Sequence, residues 1–387
     1  MQLTQPVEVR ETLDASVREN ADGFRQLMQY TLKGEIGKGA FGKVHLAVDE
    51  NTGVGYAVKE FSKSKLRKKE KANLFKLGPR GRGRGRRGPE APSPASDSSP
   101  LDPIRGEVAI LKKLHHPNIV KLYEVLDDAS NDSMYMVFEW CEKGVLMPVS
   151  LTEKYENVFK DEECRDIFQQ MILGIEYLHE HDIIHRDIKP DNLLRSRDDI
   201  VKIVDFGVSE MFDKKGDDMT RKSAGSPAFM APELCRPDHG EVSGRATDVW
   251  SMGVTLYCLR YGRLPYVSES ILEMQRVIRE DDFVLPPDET DPRFVELIGR
   301  LLEKDPAKRI TIDQMRNDPW VTNDGQAPLI SKEENTANAV TELTEEDLRG
   351  AFRKFNGVAT IVSLTWHRSP RPFIHSSLQW NLCSSIL

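Results

Sequence analysis

The chain of 387 residues holds 62 acidic and 54 basic side chains, a net charge of -8, with 39% hydrophobic and 30% charged residues; it can fill two packed units and has the profile neither of a membrane-embedded nor of a wholly disordered protein. No apolar run reaches the ~18 residues of a bilayer helix, and the N-terminal MQLTQPVEVRE lacks the basic-then-apolar order of a signal peptide. Five cysteines without CxxC or Cys/His clustering argue against a disulfide framework or a zinc site, so the expected setting is intracellular and reduced, the cytoplasm first with the nucleus also open.

In chain order, residues 30–47 read as strand with a glycine interruption and residues 55–61 (GYAVKEF) as a second, mostly apolar strand. Residues 62–100 then run through KSKLRKKEK, GPRGRGRGRRG and PEAPSPASDSSP, tracts too poor in apolar surface to order themselves, and a disordered insert is expected. Ile104, Val108, Leu111 and Leu114 recur at helical spacing, residues 134–141 (MYMVFEWC) suit a buried strand, and residues 162–179 a long apolar helix. Strands dominate early and helices late: residues 246–260 and 294–302 continue the helical half, which closes near Trp320. Beyond about 325 the chain is polar and acidic, with one amphipathic segment at 345–362.

Four short stretches carry chemistry. Gly37, Gly39 and Gly42 in GKGAFGKV let backbone N–H groups approach phosphate oxygens; the same pattern serves a plain hairpin turn or a dinucleotide loop, but here a strand rather than a helix follows, which suits a flap over a triphosphate. Lys59 lies inside an apolar strand, where an ammonium needs a carboxylate and an anion beside it, and Glu107 on the helix after the insert is the candidate; otherwise the two are an edge-strand solubility residue and an exposed helix charge. In HRDIKPDN, Asp187 can orient an incoming hydroxyl, Lys189 can neutralise charge on a phosphoryl group in flight, and Asn192 can offer its oxygen to a metal ion. Downstream, the apolar residues 200–204 end at Asp205 of DFG, a second carboxylate suited to a hard cation shared with phosphates. Each tripeptide alone is a turn; the combination in this order is not expected by chance.

The set GKGAFGKV, AVKEF, HRDIKPDN, DFG and APE (residues 231–233) resembles the eukaryotic serine/threonine protein kinases over residues 30 to about 320. The resemblance implies an α+β, bilobal protein-kinase-like fold: a small antiparallel β-sheet lobe with one helix (about 30–140) over a larger, mainly α-helical lobe (about 141–322). It divides the chain into an N-terminal extension (1–29), a kinase domain (30–322, with the insert at about 62–103) and a C-terminal regulatory tail (323–387). It implies ATP and Mg2+ as cofactors, Lys59 on the α and β phosphates paired with Glu107, Asp187 as the base assisted by Lys189, and Asn192 and Asp205 on the metal. Ile36, Gly37, Gly39, Gly42, Val44, Ala57, Lys59, Phe138, Glu139, Cys141, Leu194 and Asp205 would surround the nucleotide, Phe138 as gatekeeper and Glu139 and Cys141 through their backbones. Glu233 would pair with Arg309, Asp248 would brace the catalytic loop, and Lys189 with Ser226 is the serine/threonine pattern.

More narrowly, QYTLKGEIGKGAFGKVHLA, the insert, EVAILKKLHHPNIVKLYEVLDD, MYMVFEWCEKG and AGSPAFMAPEL resemble the calcium/calmodulin-dependent protein kinase kinases, particularly fungal forms. That implies protein substrates among downstream kinases, phosphorylated on their activation loops, in calcium/calmodulin or energy-stress signalling. A basic tether beside the site could capture an acidic partner surface; an RGG-like nucleic-acid tether is the rival, disfavoured by the lack of interleaved aromatics, and a passive linker is the third reading. A basic amphipathic helix with Leu348, Phe352, Phe355 and Ala359 beside Arg349, Arg353 and Lys354 suits calmodulin, within about 345–373, or docking on the kinase domain, although Pro370 and Pro372 would interrupt it. No membrane partner is expected. A catalytically silent scaffold remains the alternative from another class, but Lys59, Asp187 and Asp205 are all present. Where many kinases carry an activating threonine, four residues before Ser226, stands Lys222, so competence is expected without modification at that position.

Overall fold

The computed structural model describes residues 9–39, 42–65, 68, 102–150, 155–156, 159–212, 216, 218–221, 225–236 and 238–337. Residues 69–101 of the insert, Lys222, Ser223 and the amphipathic tail segment lie outside the described residues.

One eight-stranded sheet forms the first lobe. Its strands are β1 (Arg10–Thr12), β2 (Val17–Glu19), β3 (Arg25–Leu27), β4 (Tyr30–Gly39), β5 (Gly42–Asp49), β6 (Gly55–Ser62), β7 (Leu122–Asp127) and β8 (Ser133–Glu139), in the order β1-β7-β8-β6-β5-β4-β3-β2. Alternation along β6 explains how the sheet uses both faces. Ala57 and Phe61 pack with Val108, Leu111 and Met136 on one side, and Val58 with Leu32, Ala47, Tyr135 and Val137 on the other. The first side is covered by helix α1 (Asp102–Lys113). The second includes Ala15 and Leu27, so residues read from sequence as an extension join the sheet and cover its outer face. The sheet is antiparallel except at that edge, where β1 runs parallel to β7, Arg10 opposite Glu124.

The second lobe is built on helices α2 (Asp161–Glu180), α3 (Gly244–Tyr261), α4 (Ile271–Glu280) and α5 (Pro292–Leu301). Helix α3 starts where Ser243 Oγ accepts from Ala246 N at 3.1 Å and stops at Gly262, whose φ of +69° is the left-handed conformation that ends helices. Trp320, wholly buried, stands edge-on to Phe168 of α2 and Phe294 of α5, which is why the helical half closes there. Short strands fill the seam between the lobes: β9 (Gly144–Val145), β10 (Ile183–Ile184), β11 (Leu193–Arg195), β12 (Val201–Ile203) and β13 (Glu210–Met211), followed by β14 (Met219–Thr220) and β15 (Val242–Ser243). β11 pairs with β9 and β12, and β10 with β13, so the turns carrying the chemical residues hang from paired backbone. Among the described residues no helix is long and apolar enough to cross a membrane.

Candidate active site

Between the lobes lies a cavity of about 260 Å³. Of the residues expected around a nucleotide, Ile36, Val44, Ala57, Lys59, Phe138, Glu139, Cys141, Leu194 and Asp205 line it, together with Glu107. Gly37, Gly39 and Gly42 lie in the β4–β5 hairpin, paired Gly37 with Val44 and Gly39 with Gly42, and neither Gly37 nor Gly42 is among the described residues of the cavity wall. Gly42 is required by close approach: a Cβ there would sit 1.5 Å from the Glu60 carbonyl oxygen of β6. Leu111, Val120, Trp140, Glu142, Gly144, Val145 and Val204 also form the wall; the sequence did not place them at the site, because a residue's type and local spacing carry no mark of which cavity it faces.

Lys59 Nζ lies 3.3 Å from Glu107 Oε1 and 3.6 Å from Asp205 Oδ1. Burial works against the ammonium, but the two carboxylates outweigh it and hold Lys59 more firmly protonated than a free lysine. The same charge pulls Asp205 below the ordinary carboxylate range, while burial pushes the more enclosed Glu107 upward. Asp205 has φ +65°, a conformation costing a non-glycine residue on the order of 1 kcal/mol or more. Phe206 offsets that strain: its ring is 1% exposed and edge-on to His185 at 5.1 Å, and burying a phenylalanine contributes about 1.5–3 kcal/mol. With Phe206 packed inward, Asp205 faces Lys59. Burial pushes the Cys141 thiol up to about 12, which leaves it protonated and a poor nucleophile.

A second group is built on the loop after β10. Asp187 Oδ1 accepts from the Ser226 backbone N–H and hydroxyl, each at 2.8 Å, while Oδ2 lies 3.0 Å from Lys189 Nζ and accepts from Asn192 Nδ2 at 3.0 Å. Lys189 Nζ also donates to Ser226 Oγ at 2.8 Å. The loop is held from beneath by Asp248 of α3. Its carboxylate, fully buried, accepts from the backbone N–H groups of His185 at 2.9 Å and Arg186 at 2.8 Å and meets His179 Nε2 at 2.8 Å, so a charge that would be costly alone is fully occupied. Glu233 takes both ends of the Arg309 guanidinium, at 2.7 and 2.9 Å.

The residues fit a bound magnesium ion. Asn192 Oδ1 is buried with no hydrogen-bond partner among the described residues, an unmet acceptor of the oxygen type that hard cations take. Around Lys59 two carboxylates face one ammonium, which leaves negative charge for a further cation.

Comparison with known proteins agrees with this architecture. The protein kinase domain family matches residues 92–321, and the chain belongs to that family. It is 47% identical over 360 residues to the calcium/calmodulin-dependent protein kinase kinase cmkC of Emericella nidulans, covering 89% of this chain and 68% of the relative. It is 38% identical to a calcium/calmodulin-dependent protein kinase kinase of Caenorhabditis elegans, over 89% of this chain and 62% of that one. It is equally 38% identical to the serine/threonine-protein kinase ppk34 of Schizosaccharomyces pombe, over 80% and 88% of the two chains. The protein is thus a serine/threonine protein kinase, similar to the calcium/calmodulin-dependent protein kinase kinases and spanning about two thirds of the length of the two relatives that bear that name.

Proposed function

We propose that the chain transfers the γ-phosphoryl group of magnesium ATP to serine or threonine on the activation loops of downstream kinases, within calcium/calmodulin or energy-stress signalling. The observation that carries this is the convergence of Lys59, Glu107 and Asp205 on one cavity. Lys59 holds the α and β phosphates and is itself held by Glu107. Asp187 accepts a hydrogen bond from the substrate hydroxyl and takes its proton, and Lys189 neutralises charge on the transferring group. Asn192 and Asp205 would hold magnesium, which screens the phosphate charges when bound. The relatives' names support the substrate class. Calmodulin binding through about 345–373 belongs to the same proposal and rests on the amphipathic sequence and on those names; a peptide covering 340–375 titrated with calcium-loaded calmodulin would test it.

Incubating the full chain with labelled ATP and a panel of unphosphorylated kinases should label activation-loop threonine. Asp187→Asn should lower the rate by about 10²–10⁴-fold with ATP binding retained. Transfer that survives Asp187→Asn would overturn the assignment of the base.

A further inference from the structure

Next to Asp187 stands a cation for which the transfer chemistry has no use. The Arg186 side chain is 9% exposed, sits on left-handed backbone at φ +67°, and could not remain charged there without acceptors. Nε donates to the Val208 carbonyl at 2.6 Å and Nη1 to Glu210 Oε2 at 2.9 Å. Glu210 is on β13, directly opposite Ile184 of β10, so the strand pairing that delivers the catalytic loop also delivers its counter-charge. The Thr220 hydroxyl on β14 donates to the same carboxylate oxygen at 2.8 Å. Further along, Gly225 has φ +100° and passes so close that a Cβ there would lie 2.3 Å from the Arg186 carbonyl oxygen, and Ser226 then reaches Asp187. Both described ends of the segment between Asp205 and Glu233 are thereby fastened to residues 186 and 187.

In kinases switched by activation-segment phosphorylation, a phosphoryl group supplies the anion for this arginine and orders the segment. We propose that here Glu210 supplies that anion from within the chain and is a positioning residue for Asp187, which makes phosphoryl transfer independent of an upstream kinase. This rests on the kinase reading above. The carboxylate neutralises Arg186, holds it at the fixed geometry of β10 and β13, and ties down Thr220. A phosphoryl group on Thr220 would set two anions against one guanidinium and should not raise the rate.

The test uses the full chain treated with phosphatase, with loss of phosphate from residues 209–236 confirmed by mass spectrometry, and a peptide substrate. Wild-type kcat should be unchanged by the treatment. Glu210→Gln should lower kcat about tenfold with the ATP KM within about twofold, because the cavity wall is untouched. Arg186→Ala combined with Glu210→Gln should be no slower than the slower single variant, since both act through one pair, and Glu210→Asp should recover most of the rate. Melting temperatures accompany each variant. If Glu210→Gln melts below the assay temperature, the double variant, in which no buried charge is left alone, carries the reading and must be as slow as Arg186→Ala. A wild-type kcat in either variant, or single effects that multiply, overturns the proposal. A wild-type chain silent until an upstream kinase acts on it overturns the proposal alone; one silent in both states removes the kinase reading as well.

Discussion

Lys59 illustrates how one residue's environment sets a measurable behaviour. Its ammonium is shared by Glu107 and Asp205, and burial alone would push the Glu107 carboxyl up. Lys59→Met keeps the shape of the side chain and removes the charge, so Glu107 should then hold its proton in the folded state to a higher pH than in the unfolded one. A carboxyl whose folded pKa exceeds its unfolded pKa stabilises fully below the unfolded value and loses that contribution as pH rises through the folded one. The variant's melting temperature should therefore fall as pH is raised from 5 to 8, more steeply than the wild type's, and its transfer rate should drop by about 10²–10³-fold. Parallel melting curves for the two proteins would show that Glu107 does not depend on Lys59 for its charge. Lys59 is legible in the sequence because a lysine in GYAVKEF contradicts its apolar surroundings. Glu210 was not, since a glutamate five residues after Asp205 looks like any exposed strand charge until β13 is laid against β10.

At the scale of elements, the long helices were readable and the short strands were not. Residues 162–179 mark out a helix that runs Asp161–Glu180, and the stripe beginning at Ile104 belongs to one that starts at Asp102, because burying one face imposes a period over many residues. β1, β2 and β3 are three residues each, β1 and β2 mostly exposed and only Leu27 of β3 buried, too short to show a period. Between elements, the Glu233–Arg309 pair ties the turn after the activation segment to the loop following α5. Arg309 also donates to the Glu303 and Ala246 carbonyls and lies over the Trp250 ring at 5.2 Å. Glu233→Ala leaves that guanidinium, 1% exposed, without its carboxylate and should cost about 3–5 kcal/mol. Urea unfolding should show a lower midpoint with an unchanged m-value; a loss under 1 kcal/mol would mean the backbone carbonyls suffice.

For the whole molecule, the end of the described chain clasps back on helix α2 and on the loop that follows α1. Asn335 donates to the Leu173 carbonyl at 3.0 Å and to Glu176 at 2.8 Å, both on α2. Its Oδ1 meets His116 Nε2 at 2.8 Å, while His116 Nδ1 accepts from Asn118 N at 3.0 Å, so the ring is neutral with one nitrogen donating and the other accepting. Burial pushes its pKa down to about 4. Because the folded value lies below the unfolded one, stability is complete above the unfolded pKa of 6.5 and declines as pH falls toward the folded value. Denaturant unfolding at pH 5 should yield about 1–2 kcal/mol less stability than at pH 7 for this partly exposed ring, and His116→Gln should narrow that difference. Asn335→Ala should cost about 1–3 kcal/mol through the buried groups left unpaired. An equal pH dependence in wild type and His116→Gln would place the titration elsewhere.

Two kinds of information therefore divide this protein. The sequence by itself, through its resemblance to the protein kinases, indicated the class of fold, and it marked the glycine hairpin and the polar side chains of Lys59, Glu107 and Asp205 that line the cavity, because those features need particular side chains at short spacing along the chain. Only the tertiary structure decided that residues 10–27 complete the sheet, that Glu210 answers Arg186, and that Asn335 reaches His116. Those depend on contacts between segments far apart in the chain, where neither partner bears a local mark of the other.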